Sequence, residues 1–320
     1  KGGRKAVKRQ EDYVEEKWNR GNTYRPDEGC ADPERVKLSN GLVMIFIDSQ
    51  WWLHDHNEEK HMTRGCDIKS RTHFLEDLEA MIRQNKNKQI IMVMHHPMHS
   101  NGHHGGYFSF KDHVFPMTQA QKSLYIPLPV IGSILPIWRK LGGTTQDIPH
   151  EQYKLLRSEL EQVTSAYSDI IFAAGHEHSL QYHYEGSHHF VVSGSGSKTG
   201  YTRKGKGASY ARDANGFAKL YYYENGETWL EMIVPNEDGS EGIVEFRKQL
   251  VPARLDQGDE KVYNGFDPLP DSVSVSAAGD FYDVSGVGKI LVGDQYREAW
   301  GQEVDVPVID LETEYGGMTP

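Results

Sequence analysis

The chain has 320 residues, enough for one large domain or two modest ones with a substantial core. Hydrophobic residues at 37% and charged residues at 25% exclude wholesale disorder, and no apolar run is long enough for a transmembrane helix. With 46 acidic against 35 basic residues, the net charge of −11 argues against non-specific nucleic-acid binding, so no nucleic-acid partner is expected.

The sequence starts at Lys1 rather than Met and stops in Gly316-Gly317-Met318-Thr319-Pro320, so it reads as an internal piece of a longer protein. Glu11 to Glu16 reads as a short helix. Leu42 to Ile47 is a continuous apolar run rich in Val and Ile, as in a strand buried on both faces. Phe74, Leu78, Met81 and Ile82 recur at helical spacing, which predicts an amphipathic helix over about Arg71 to Gln84. Ile90 to Met94 is the next buried strand. His95 to His150 reads mostly as loop, including Tyr125 to Trp138, where Pro127, Pro129 and Pro136 interrupt the apolar residues.

Tyr153, Leu156, Leu160 and Val163 mark a second amphipathic helix, and Ile170 to Ala174 a third buried strand. Strands that alternate with helices in this way predict an α/β layered fold. From Leu180 the pattern changes to successive strands at Tyr182 to Tyr184, Phe190 to Val192, Ala218 to Tyr223, Thr228 to Val234 and Ile243 to Phe246, read as an antiparallel sheet. Past Val251 the periodicity fades into Asp-, Gly- and Pro-rich sequence. The expected division is a domain over 1–250 and an extension or linker over 251–320.

The two cysteines, Cys30 and Cys66, are too few for a disulfide framework; they can be two reduced thiols or one bridge. The sixteen histidines are more informative, because of where they fall. His95, His96, His99, His103, His104 and His113 come after the strand ending at Met94, and His176 and His178 after the strand ending at Ala174. Ligands of open α/β sheets bind beyond the carboxyl ends of the strands, so the two groups can converge on one site. In Gly175-His176-Glu177-His178 the glycine is expected to let the backbone turn sharply as it leaves the sheet. Imidazoles spaced in this way suit Zn, Fe, Ni or Cu.

Met92-Val93-Met94-His95-His96-Pro97, with Gly175-His176-Glu177-His178 further on, resembles the last two motifs of calcineurin-like metallophosphoesterases. Gly175 through Gln181, with Ser193-Gly194-Ser195-Gly196 after it, resembles the purple and tartrate-resistant acid phosphatase branch. The resemblance covers about Leu42 to Phe246. It implies the carboxy-terminal portion of a layered α/β/β/α metallophosphoesterase sandwich. It also implies hydrolysis of a phosphate-ester substrate at a centre of two divalent or trivalent ions, Fe, Zn or Mn. His95, His176 and His178 would be metal ligands, His104 a catalytic group able to protonate the leaving group, and His103 a substrate-binding neighbour. His96 and His99 would orient or shield the ligands.

The family's amino-terminal motifs (Asp-x-His or Gly-Asp-x-Gly, Gly-Asp-x-x, Gly-Asn-His) are missing upstream of His95. The segment from Lys1 to Glu15 resembles the stretch after Gly-Asn-His in related bacterial proteins. The chain is therefore expected to hold about half of a metal site and to be inactive alone. Asp48-Ser49-Gln50-Trp51-Trp52-Leu53-His54-Asp55-His56 is expected to pack beneath the site rather than ligate, and Lys198 and Arg203 to be solvated. The tail from Tyr296 through Leu311 resembles the connector of Gram-negative envelope proteins that carry an outer-membrane β-barrel. That resemblance implies a cell-envelope location, a barrel partner outside this chain and a Cys30–Cys66 bridge. A non-catalytic binding module on the same fold is the principal rival, and a mononuclear three-histidine enzyme ranks last.

Overall fold

The computed structural model describes residues 3–19, 21, 23–53, 65–119, 123–253, 280–282 and 289–291. It divides the chain into two compact units, Lys1–Ala253 and Arg254–Pro320. In the second unit the described residues form one antiparallel pair, Asp280–Tyr282 with Lys289–Leu291. His54, His56 and the connector-like tail from Tyr296 to Leu311 lie outside the described residues.

In the first unit, helix α1 (Gly3–Trp18) is longer than Glu11 to Glu16 alone suggests. Strand β1 (Glu34–Lys37) runs antiparallel to β2 (Leu42–Phe46). β2 then pairs in parallel with β3 (Gln89–Met94), β3 with β4 (Ile171–Ala174), and β4 with β6 (His188–Ser193). β5 (Leu180–Glu185) and β7 (Ala208–Arg212) complete the sheet on that side, in the order β1-β2-β3-β4-β6-β5-β7. β8 (Phe217–Tyr222), β9 (Thr228–Pro235) and β10 (Gly242–Val251) form a separate antiparallel sheet.

The long parallel strands alternate side chains between two cores, as a sheet covered on both faces must. Ile90, Met92 and Met94 of β3 point into one core with Phe74, Leu78 and Ile82 of α3 (Arg71–Gln84) and Tyr153, Leu156 and Leu160 of α6 (Glu151–Thr164). Ile91 points into the other, with Leu230, Met232 and Val234 of β9. The result is the expected layered α/β sandwich: helices, a seven-stranded sheet and a three-stranded sheet. Helices α3 and α6 both begin at side-chain caps: Ser70 accepts from His73 N, and His150 accepts from Gln152 N.

Three expectations change. β5 and β6 join the first sheet rather than opening a second one, because β6 pairs in parallel with β4 and carries β5 with it. The apolar stretch before Trp138 is not all loop: α5 spans Ile134–Lys140, with Pro136 in its first turn, where a missing N–H costs nothing. Two other short helices, α2 (Ser49–Trp52) and α4 (Phe110–Val114), interrupt segments expected to be loop. The two cysteines form a disulfide bond. Closing a 36-residue separation stabilises the fold by roughly 4 kcal/mol on the chain-entropy account.

Candidate metal and phosphate site

Adjacent parallel strands fix the site. β3 and β4 end at the same level, with Met94 opposite Ala174, and Gly175 N donates to His95 O at 3.1 Å. His95 and His176 therefore leave the sheet side by side. Their rings lie 4.9 Å apart, and His95 Nε2 faces His176 Nδ1 at 3.1 Å. His96 stands 4.5 Å from the His176 ring, and His104 stands 3.9 Å from it. The sharp turn falls on His176 itself, at φ 64°, rather than on Gly175. A side chain held there costs about 1–3 kcal/mol, and it aims the imidazole into the cluster.

Hydrogen bonds set which nitrogen of each ring carries the proton. His176 Nε2 faces the carbonyl oxygen of Gln146 at 3.0 Å, so it donates, and Nδ1 keeps its lone pair toward His95. A ligating histidine usually anchors its other nitrogen on a carbonyl in this way. Two nitrogens on one tetrahedral zinc stand about 3.3 Å apart, close to the observed 3.1 Å. His96 is built differently. Ser49 Oγ donates to its Nδ1 at 2.9 Å, and its Nε2 donates to Gln146 Oε1 at 2.9 Å. Both nitrogens of His96 are occupied, which makes it a group that positions its neighbours.

Burial keeps these imidazoles neutral, the form that binds metal. It is the first cause of the low pKa of His176, about 2, with His104, His96 and His95 adding repulsion. Burial also brings His96 down to about 4 and lowers His95, which His104 lowers further and Asp48 opposes. His95, His96 and His176 bring one nitrogen each within 4.8 Å of one another, and with both nitrogens of His96 occupied, His95 and His176 are the two that could hold a metal ion. Among the described residues, no carboxylate joins them. Asp48 caps α2 instead, accepting from Gln50 N and Trp51 N.

His104 sits on a turn over His103–Gly105 and is held by residues that no local pattern marks. Its Nδ1 lies 3.0 Å from Asp147 Oδ1, in a carboxylate that is fully buried. Burial pushes the Asp147 pKa up, but hydrogen bonds from His104 and Arg139 and the Arg139 charge outweigh it and hold the group low. The same Nδ1 also lies 2.8 Å from Arg139 Nη2, so His104, Asp147 and Arg139 form one hydrogen-bonded cluster. The Arg139 guanidinium also donates to Asp147 through Nε at 3.0 Å. Glu177, between the two motif histidines, is buried and fastens the same turn: Oε1 accepts from His104 N at 2.6 Å and Ser100 Oγ at 3.0 Å. Its alternation with His176 and His178 is the one sequence signal for it.

The other histidines stand apart from the triplet. His178 is partly exposed; burial and then Lys198 lower its pKa. His103 faces Asp112 Oδ2 at 3.2 Å and stacks on Phe108. A cavity of about 530 Å³ opens on the β2 side of His95, lined by Asp48, Ser49, Gln50 and Met94 and closed by Val7 and Tyr24.

No protein-family model and no curated protein matches the sequence. Solved structures with a similar course include GAP50, the anchor in the inner membrane complex of Plasmodium, at 15% identity, 74% of this chain, 59% of that chain and a TM-score of 0.43. Purple acid phosphatase PPD1 from yellow lupin (Lupinus luteus) seeds aligns at 12% identity over 68% of this chain and 32% of its own, with a TM-score of 0.38. PhoD aligns at 7% identity over 71% of this chain and 45% of its own, with a TM-score of 0.41. The chain thus spans less than two thirds of each of these proteins.

Proposed function

We propose that this chain is part of a metal-dependent phosphoesterase that hydrolyses phosphate esters at a two-metal centre in the full-length protein. The observation that carries the reading is the His95–His176 pair at adjacent parallel strand ends, with ring nitrogens facing at 3.1 Å and the Gln146 carbonyl fixing the His176 tautomer. His95 and His176 would hold metal, as would His178 once the full-length centre is complete, with His96 keeping the rings in place. A bound ion of this kind polarises a phosphoryl oxygen and lowers the pKa of water. The chain's own residues supply the rest. His104, held by Asp147 and Arg139, would exchange a proton with the substrate, and Glu177 keeps the His104 backbone in place.

Three histidines without a carboxylate hold one ion rather than two, so this chain alone is expected to be inactive. The same lack of a carboxylate among the described residues favours a second reading, a non-catalytic envelope module that keeps the fold. The disulfide supports an extracytoplasmic location for either one, and a barrel partner belongs to the same envelope reading. Elemental analysis of the purified chain before any metal is added is expected to find no more than one ion. Two ions per chain would overturn the half-site assignment. Hydrolysis of p-nitrophenyl phosphate by the metal-loaded full-length protein is expected; its failure, with metal bound, would favour the binding module.

A further inference from the structure

Away from the histidine pair, a cavity of about 510 Å³ opens between the loop after His104, helix α5 and the turn over 203–206. Its charged lining is Lys140, Arg203 and Lys206, with no carboxylate. In a chain of net charge −11 this is a local reversal of sign, and such a concave cationic surface concentrates anions. The turn that presents Arg203 and Lys206 is pinned. Asn101 Nδ2 donates to the carbonyls of Arg203 and Gly205, and Arg203 N donates back to Asn101 O at 2.9 Å. Tyr107, Phe108 and Ile137 supply the apolar part of the wall.

Helix α5, which supplies Pro136, Ile137 and Lys140 to the wall, is also unusual. Ile134, Ile137, Trp138 and Leu141 are each between about half and four fifths exposed, and Val130 is 85% exposed. From Ser123 to Gly143 the sequence holds no acidic residue, and its only full charges are Arg139 and Lys140. An apolar strip of this kind on a monomer's surface marks a binding site. Cations in the cavity and exposed apolar side chains on and just beyond the helix beside it match a ligand that is charged at one end and apolar at the other.

We propose that this cavity binds a phosphate-bearing amphiphile, with its oxyanion at Lys140, Arg203 and Lys206 and its apolar chain along Ile134, Ile137, Trp138 and Leu141. No member of the His95–His176 cluster takes part, so the site stands or falls independently of the phosphoesterase reading.

Calorimetric titration of the full 320-residue chain in EDTA tests it. The probes are dihexanoyl phosphatidic acid below its micelle concentration, dihexanoyl phosphatidylcholine and inorganic phosphate. The acidic lipid is expected to bind one site at least tenfold more tightly than either of the others. The triple variant Lys140→Ala, Arg203→Ala, Lys206→Ala is expected to weaken it at least tenfold with an unchanged circular dichroism spectrum. Ile137→Ser with Leu141→Ser is expected to weaken it severalfold, and His176→Ala to leave it unaltered. Inorganic phosphate binding as tightly as the lipid would remove the amphiphile from the proposal. Lipid binding unaffected by loss of the three cations, or abolished by His176→Ala, would overturn the site itself.

Discussion

Two groups of histidines stand close together in this molecule. One lies at the ends of β3 and β4: His95, His96, His176 and, beside them, His104. The other lies along β5 and β6 and beneath the loop after β3: His99, His183, His188 and His189. Burial brings His96 in the first group and His99, His183 and His189 in the second to the same pKa, about 4. The groups differ in what their nitrogens meet. In the second, His183 Nε2 bonds Gln181 Oε1 at 3.1 Å, His189 Nδ1 bonds Tyr182 Oη at 3.0 Å, and His99 Nδ1 faces Glu185 at 3.2 Å. Each of these three rings is fastened separately to β5. In the first, two ring nitrogens converge on one point. A low pKa and histidine content do not separate a ligand from a core residue, but convergence does.

The most direct way to break this comparison is with metal. His176→Ala is expected to weaken zinc binding at least about 100-fold, because it removes one of the two converging nitrogens. His183→Ala is expected to leave zinc affinity and stoichiometry unchanged. Equilibrium dialysis with zinc measures both, and equal losses in the two variants would mean that the groups are not distinct.

Legibility in the sequence divides along the same line. His95 and His176 can be found because each comes directly after a buried apolar run, and parallel strand ends are where sites form. Helices α3 and α6 are legible from Phe74, Leu78 and Ile82 and from Tyr153, Leu156 and Leu160, since one buried face imposes a helical period. Asp147 and Arg139 are not legible. They reach His104 across 43 and 35 residues of chain, and nothing local marks such a partner. His99 looks like a member of the site cluster, because sequence gives position after a strand but not which face of the sheet a side chain packs on. β5 and β6 are recognisable as strands but not as members of the first sheet for a related reason: alternation identifies a strand and says nothing of its neighbour.

A smaller effect is expected where a carboxylate serves the first group. Glu177→Ala leaves the His104 N–H and the Ser100 hydroxyl without their acceptor in a buried place. That costs about 1–3 kcal/mol per unsatisfied group, read from the urea midpoint. The zinc affinity should fall less than in His176→Ala, since the converging pair is untouched. A Glu177→Ala protein as stable as the parent would remove Glu177 from the role of fastening the turn.

Acid acts on both groups alike, and here the comparison predicts a similarity. A histidine whose folded pKa is lowered stays neutral in the folded state while the unfolded chain takes up a proton below about pH 6.5. Its stability is therefore fully present above that pH and is lost as pH falls toward 4, at up to about 1.4 kcal/mol per pH unit. Replacing His183 by Phe is expected to flatten the decline between pH 7.5 and 5.5 by about 1.4 kcal/mol. His96→Phe should flatten it similarly, since its pKa is equally low. Chemical denaturation at the two pH values gives both numbers, and an unaltered slope in His183→Phe would show that this ring is protonated in the folded state.

The smallest effect should come from His188. Its Nδ1 is buried without a hydrogen-bond partner, and the ring packs edge-on against Phe172 at 5.9 Å. Its other polar contact is with the backbone of Thr164. Phe in its place keeps an aromatic ring of similar shape against Phe172 and removes the unpartnered nitrogen, while giving up one hydrogen bond. The two polar changes oppose each other and are each worth about 1 kcal/mol, so His188→Phe should change the urea midpoint by no more than that amount. Zinc binding should not change at all. A loss of several kcal/mol, or any fall in bound zinc, would mean that the second group is also held together by its histidines acting jointly.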